Sequence, residues 1–167
     1  MTHKSFRDDV YLKELDAVVT SVALSPKRAG CLLVTLDRTV FFPTGGGQSC
    51  DLGTLAGLPV IDVFEDADEI VHVVQLADTA AASASASPLQ AGDQIHIAID
   101  WARRFDNMQR HCGEHILSGI FYGLYGGVNR GFHMGDDYMS TSAWKTTRPS
   151  RRSPGKWRKR PNWRRTG

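Results

Sequence analysis

The chain has 167 residues, enough for one large domain or two small ones, and a formal net charge of +2 from 20 basic and 18 acidic residues. Its longest apolar runs are too short to span a bilayer, and the mixed, charged stretch Met1 to Val10 lacks the apolar core of a signal peptide. Three widely spaced cysteines, Cys31, Cys50 and Cys112, are odd in number and fit a reducing compartment better than a disulfide framework. The expectation is a cytoplasmic protein with no membrane partner.

In chain order, Asp16 to Leu24 and Cys31 to Leu36 are rich in β-branched residues and flank the turn-forming stretch Ser25 to Gly30, so they predict two strands. Arg38 to Phe42 continues the β pattern until Pro43 stops it, and Gly45-Gly46-Gly47 follows as a loop. Val60 to Phe64 and Glu69 to Gln75 predict further short strands, a spacing that suggests a small barrel or a sandwich. Thr79 to Ser87 is of low complexity and reads as an insertion in a hairpin. Asp93 to Asp100 alternates strictly, with Ile95, Ile97 and Ile99 on one face of a strand.

A helix is predicted from Trp101 to about Tyr125, capped by Asp100 and ended by Gly126-Gly127. Phe105, Met108, Cys112, His115, Gly119 and Tyr122 recur at three- and four-residue steps, which predicts one buried stripe. Within this helix, His111 and His115 stand four residues apart, one turn from each other on one face, where both can grip one metal ion. A bare pair of this kind is as often a core and a surface histidine as a metal site. His133 offers a third imidazole downstream. His111-x-x-Glu114-His115 also matches the inverted zinc-peptidase pattern, but that chemistry needs an acidic ligand well downstream, and no Asp or Glu follows Asp137.

Thr44-Gly45-Gly46-Gly47-Gln48 is a loop whose backbone a ligand can approach closely. It lacks the Gly-Lys-Ser/Thr that opens a P-loop helix, so no ATP site is expected. A tight turn is the plain alternative; Thr44 and Gln48, two hydrogen-bonding side chains around it, favour a binding role.

After Thr141 the composition changes abruptly. Ser142 to Gly167 holds ten of the 20 basic residues, three Trp, three Pro, and no Ile, Leu, Val, Phe, Met or Tyr. The formal charge is thus about +10 for the tail and about −8 for the body. Such a segment cannot build a core. It reads as out-of-frame or foreign sequence joined to a domain cut mid-fold, in preference to an RNA-binding arm in which Arg and Lys meet phosphates and Trp stacks on bases.

Taken in order, Phe42-Pro43-Thr44-Gly45-Gly46-Gly47-Gln48, Asp51-Leu52-Gly53-Thr54-Leu55, Gly92-Asp93, Ile99-Asp100, Arg104, Met108, His111 and His115-Ile116-Leu117 resemble the AlaX-type alanyl-tRNA editing proteins and the editing region of alanyl-tRNA synthetase. The resemblance covers about residues 16 to 141. It implies an α+β fold: a small N-terminal β-barrel (1–92), an α+β editing domain carrying the His-x3-His helix (93–141, incomplete), then the basic disordered tail (142–167). It implies hydrolysis of the ester joining a wrong amino acid, chiefly serine and sometimes glycine, to the acceptor end of tRNA(Ala). By motif position His111 and His115 would be ligands of Zn2+, Thr44 would face the seryl hydroxyl, and Gln48 would shape the pocket at the reacting ester. Gly45, Gly46, Gly47, Arg104 and Met108 would line the substrate site.

The family completes its zinc site with a Cys and a His well downstream, whereas no Cys follows Cys112 and no His follows His133 here. Cys112, adjacent to His111 on the helix, points about 100° away and is a poor substitute. The expectation is therefore a zinc-assisted deacylase impaired in this chain, with a catalytically inactive tRNA-binding remnant as the alternative and a zinc peptidase a distant third.

Overall fold

The computed structural model describes residues 1–76 and 87–134 in full and the backbone of 139–141 and 145–146. The low-complexity stretch and most of the basic tail lie outside these residues. Strands β1 (His3–Lys4), β2 (Glu14–Leu24), β3 (Cys31–Leu36), β4 (Arg38–Thr39), β5 (Gly53–Leu55), β6 (Leu58–Asp66), β7 (Glu69–Gln75) and β8 (Gln94–Ile99) precede a long helix, α1 (Trp101–Tyr125). Four short strands follow: β9 (Gly127–Val128), β10 (Phe132–Met134), β11 (Met139–Thr141) and β12 (Lys145–Thr146). Among the described residues no helix is long and apolar enough to cross a membrane.

Six strands close into an antiparallel ring in the order β2-β3-β7-β6-β5-β8, with β8 returning to β2. Two irregularities allow the closure. The register of β2 shifts between Val19 and Ser21, so its first half pairs with β8 and its second half with β3. That of β6 shifts between Val60 and Asp62, dividing it between β5 and β7. An extra residue at such a point bends a strand and re-aims its ladder. Alternating side chains fill the interior: Ala17, Val19, Val34, Leu36, Leu55, Val63, Ile70, Ile95 and Ile97 are all buried.

The sequence places the barrel's end at residue 92. The ring extends it to Ile99, because β8 carries the ladder to both β2 and β5. Helix α1 follows directly on the ring's last strand. The β pattern of Arg38 to Phe42 also stops earlier than expected, after Thr39. The Val40 carbonyl accepts from Arg104 and the Phe42 N–H donates to Asp51, so side chains take the ladder's place. In the segment read as a disordered tail, Lys145–Thr146 pairs with β9.

A polar side chain on β7 is buried with the barrel's apolar residues. His72 is fully buried. Its Nδ1–H donates to the Val34 carbonyl at 3.1 Å, and its Nε2 accepts the Thr39 hydroxyl at 2.8 Å. The Thr39 oxygen in turn accepts the Phe41 N–H at 3.1 Å. The neutral ring is thus satisfied, and burial lowers its pKa to about 4 despite the opposing Val34 bond. The unfolded chain then takes up a proton at His72 below about pH 6.5 that the folded chain refuses until about pH 4, so stability falls with pH across that window. The full effect is about 3 kcal/mol. His96 works in the opposite sense, since the Asp16 carboxylate bonded to it raises its pKa. Urea unfolding at pH 7.5 and pH 5 should therefore show a markedly smaller acid loss for His72→Gln than for the parent chain; equal losses would contradict this.

Helix α1 has the predicted limits. The Asp100 carboxylate accepts the Arg103 N–H at 3.1 Å, and Gly126 ends the helix at φ 65°. Its buried face is not the predicted stripe. Arg104, Asn107 and Glu114 point inward, while Phe105, Cys112 and Tyr122 are exposed together with Ile116, Leu117, Ile120 and Leu124. The apolar period is real, but the helix is held to the barrel by charge and hydrogen bonds rather than by that stripe.

A histidine pair on a glycine turn

The helix is anchored by a buried ion pair. Arg104 Nε lies 2.9 Å from both carboxylate oxygens of Asp51, its Nη2 also meets Asp51, and Nη2 donates to the Val40 carbonyl at 2.7 Å. Asp51 additionally accepts the Phe42 N–H at 2.6 Å. At the helix start the Asp100 N–H donates to the Leu52 carbonyl at 2.7 Å, and Arg103 reaches the Cys50 carbonyl at 3.3 Å. These bonds hold α1 against residues 40–52, which include the glycine loop.

That loop is a two-residue turn. Gly45 and Gln48 exchange both backbone bonds, at 3.1 and 3.0 Å, while Gly46 and Gly47 take φ values of 59° and 82°. Two successive positive φ angles are the signature of a tight hairpin turn that favours glycine. Gly47 is needed on a second count: a Cβ there would lie 2.2 Å from the Phe132 carbonyl oxygen. The Met134 N–H donates to the Gly47 carbonyl at 2.8 Å, and the Ser49 hydroxyl donates to the Met134 carbonyl at 3.1 Å. Strand β10 is thereby laid along the turn.

Gln48 projects from the turn to the helix. It is buried, and its Oε1 accepts from His111 Nδ1 at 3.0 Å. With Nδ1 protonated, His111 Nε2 is a lone pair, and it faces His115 Nε2 at 2.9 Å. On the far side of the His115 ring, Nδ1 stands 3.7 Å from a Glu114 carboxylate oxygen. The Phe132 ring meets both imidazoles edge-on, with centroids 5.1 Å from His111 and 6.3 Å from His115.

This arrangement fits a cation. His111 Nε2, a lone pair while Nδ1 donates to Gln48, accepts from His115 Nε2 when that nitrogen carries the proton, and in the other His115 tautomer two lone pairs would face one another, ready for a metal ion. Nitrogen ligands about 2.0–2.1 Å from a tetrahedral zinc lie about 3.3 Å apart, so the pair needs to open by only a few tenths of an ångström. The oxygen partner behind His111 is the kind of outer contact that orients metal-bound histidines. Among the described residues no group of three or more His, Cys, Asp and Glu gathers at one point. His133 does not join the pair. Strand alternation sets Phe132 and Met134 on one side of β10 and the exposed His133 on the other.

Glu114 is turned inward. It is buried and accepts from Ser118 and Asn129, and Asn129 Oδ1 accepts the Gly131 N–H at 2.7 Å. This carboxylate secures the segment that carries Phe132. It lies beside the wrong nitrogen of His115 to serve as the base of a zinc peptidase, which removes the observation that recommended that reading.

Of the other expected residues, Thr44 is exposed on the same turn; its N–H donates to the Val63 carbonyl at 2.9 Å. Burial pushes the neighbouring Cys50 thiol up, and bonds to the Val63 backbone and the Thr44 side chain pull it back. Arg104 is spent on Asp51, yet its edge, with Met108 and Gln48, lines a cavity of about 310 Å³ whose opposite wall is Phe6, Arg7, Val10 and Phe42. The structure therefore gathers Gln48, Met108, Arg104 and His111 about one place, with His115 beside them. Phe132 and Asp51 belong to it as well, although neither was assigned a role from sequence. Asp51 lay inside a quoted motif and was traceable there. Phe132 carries no sequence signal that distinguishes it from any other strand aromatic. Asn107, one turn before His111, is buried, and its Nδ2 has no hydrogen-bond partner among the described residues.

No protein-family model matches the chain. Curated relatives do. The alanyl-tRNA editing protein AlaX-L of Pyrococcus horikoshii is 34% identical over 142 residues, 83% of this chain and 32% of that protein. AlaX-M of the same organism is 35% identical over 130 residues, 77% of this chain and 53% of its own length. The alanyl-tRNA editing protein Aarsd1 of Danio rerio is 33% identical over 127 residues, 71% of this chain and 28% of its own. The chain thus spans between 28% and 53% of the length of these three relatives. Over the part of their length that it shares, this chain is similar to the AlaX and Aarsd1 alanyl-tRNA editing proteins.

Proposed function

We propose that the chain is an aminoacyl-tRNA deacylase that clears mischarged tRNA(Ala), releasing serine and also glycine, with Zn2+ as cofactor. The observation that carries this reading is the convergence of His111 and His115 Nε2 at 2.9 Å beside Gln48 on the glycine turn. The names of the relatives supply the substrate class.

The reaction is modest in its demands, because an aminoacyl ester is already activated. Water adds to the ester carbonyl carbon, the bond to the ribose oxygen breaks, and that oxygen takes up a proton. His111 and His115 would hold the metal, which when bound supplies positive charge that orients the amino acid and polarises its carbonyl. Gln48 fixes the His111 ring through Nδ1 and borders the cavity, so it sets the metal-facing nitrogen and the position of the ester together. Thr44, exposed at the turn, supplies a hydroxyl for the seryl side chain. A site that hydrogen-bonds a substrate hydroxyl discriminates against the analogue lacking it far better than an apolar pocket discriminates against the hydroxyl. Phe132 screens one side of the imidazoles from water.

A second reading, an RNA-binding chain without catalysis, is favoured by the presence of only two converging imidazoles among the described residues. Two ligands hold zinc orders of magnitude more weakly than a closed four-ligand centre. The polypeptide as given is accordingly expected to lose zinc to a weak chelator and to release serine from Ser-tRNA(Ala) slowly unless zinc is supplied. His111→Ala should remove both the zinc binding and the zinc-dependent rate. Serine release that is unchanged by zinc and by His111→Ala would overturn the deacylase mechanism and leave the binding reading.

A further inference from the structure

The outer face of α1 changes character halfway along. Its first half is an ordinary solvent face: Gln109 is exposed, and Asp106 and Arg110 form an ion pair one turn apart at 2.8 Å. From Cys112 to Tyr125 the sequence holds no Asp, Lys or Arg, and its one Glu, Glu114, is turned inward. What faces outward there is apolar. Ile116 is 59% exposed, Ile120 50% and Leu124 65%, with Leu117 at 40% on the flank. Between them stand Gly113, Gly119 and Gly123, each with open space where a Cβ would be. At 3.6 residues per turn, positions 113, 116, 119, 120, 123 and 124 fall within about 140° of the helix surface. They lie opposite the buried Arg104, Asn107 and Glu114.

A face of this kind suits a copy of itself. Two such helices set antiparallel about a twofold axis between Gly119 and Ile120 put Ile116 of one opposite Gly123 of the other, and Ile120 opposite Gly119. Each branched side chain then meets an open glycine, in both directions, which is the self-complementary match a twofold interface needs. Neither face carries a charge that would oppose the other. The area is sufficient as well. Half-exposed side chains of this size leave roughly 100 Å² each, so the four, with the bare backbone between them, offer on the order of 500 Å² per copy. A pair would bury about 1,000 Å², the lower limit for a specific association. An apolar patch of about 500 Å² is also as large as monomers usually leave open.

We propose that the chain pairs with a second copy of itself through this face, residues 113–124, with the two α1 helices antiparallel. Sedimentation equilibrium of the full chain tests it, at about 1 to 100 µM and in about 0.5 M salt, which screens attraction between the acidic body and the basic tail. A monomer–dimer equilibrium is expected, with a Kd in the micromolar range that suits so small an interface. Ile120→Glu sets a carboxylate beside the axis and should raise the Kd at least about tenfold. Gly119→Leu separates a fitted interface from a merely sticky one. It enlarges the apolar face and favours the helix, yet it fills the space that receives Ile120, so it too should weaken the dimer at least about tenfold. Gln109→Glu, outside the patch, should leave the Kd unchanged, and circular dichroism should show all three variants folded. Mild oxidation reads the direction of the helices. The antiparallel register holds the two exposed Cys112 side chains about 22 Å apart, and Cys31 and Cys50 are buried, so the parent dimer should not become disulfide-linked. A chain that stays monomeric throughout this range would overturn the proposal and leave the face to a different occupant. Association that Gly119→Leu tightens, or that Ile120→Glu leaves unchanged, would overturn it as non-specific adhesion or contact elsewhere. A Cys112-linked dimer would overturn the antiparallel pairing on which the fit depends.

Discussion

Replacing Asp51 with Ala is expected to cost about 3–5 kcal/mol of stability, the largest effect of any single substitution at the site. Asp51 and Arg104 are both buried. Removing the carboxylate strands a guanidinium in the interior and leaves the Phe42 N–H without its acceptor. A stranded charge is far worse than a missing pair, so Arg104→Met combined with Asp51→Ala should cost less than the two single changes added together. Arg104→Lys keeps the charge but loses the fork that meets both carboxylate oxygens and the Val40 carbonyl at once, and is expected to destabilise as well. Denaturant unfolding of the four variants decides the matter. If Asp51→Ala costs less than about 1 kcal/mol, the pair does not anchor the helix. If Arg104→Lys leaves stability unchanged and raises only the KM for Ser-tRNA(Ala), Arg104 acts on substrate, as its motif position implies.

This pair also shows where sequence reading stops. The strands, the helix limits and the capping roles of Asp100 and Gly126 are local, written in β-branched runs, turn residues and a 3.6-residue period. The histidine pair is local too, being one turn of one helix. What joins the pieces is not local. Asp51 and Arg104 lie 53 positions apart, Gln48 and His111 63, and Ser49 and Met134 85. No periodicity encodes such distances. The apolar stripe of α1 was misread as its buried face for the same reason. Hydrophobic period gives a helix its stripe but not its partner, and here the barrel offers the helix Asp51, the Val40 carbonyl and Gln48, all polar. The glycine run was legible as a turn. That its third member is fixed by a carbonyl of residue 132 was not.

Gly47→Ala is accordingly expected to damage the site out of proportion to the fold. Its new methyl group would have to displace the Phe132 carbonyl, 2.2 Å away, and would sit on backbone at φ 82°. The backbone alone costs about 1–2 kcal/mol. Moving β10 costs more locally: the Gly47–Met134 bond opens, the Phe132 ring leaves the imidazoles, and Gln48, the next residue, loses its line to His111 Nδ1. The barrel ladders do not include Gly47 and should persist, so far-UV circular dichroism should change little. Zinc affinity and the zinc-dependent rate should each fall at least tenfold, about 1.4 kcal/mol or more. Gly46→Ala is the control, because it has a similar φ of 59° but open space where its Cβ would stand. It should carry the backbone cost and leave the histidine pair in place. Equal losses from the two variants would mean that only the turn conformation matters and that β10 has no part in setting the imidazoles. A loss confined to Gly47→Ala would make Phe132, invisible to sequence reading, one of the residues that hold the site in working order.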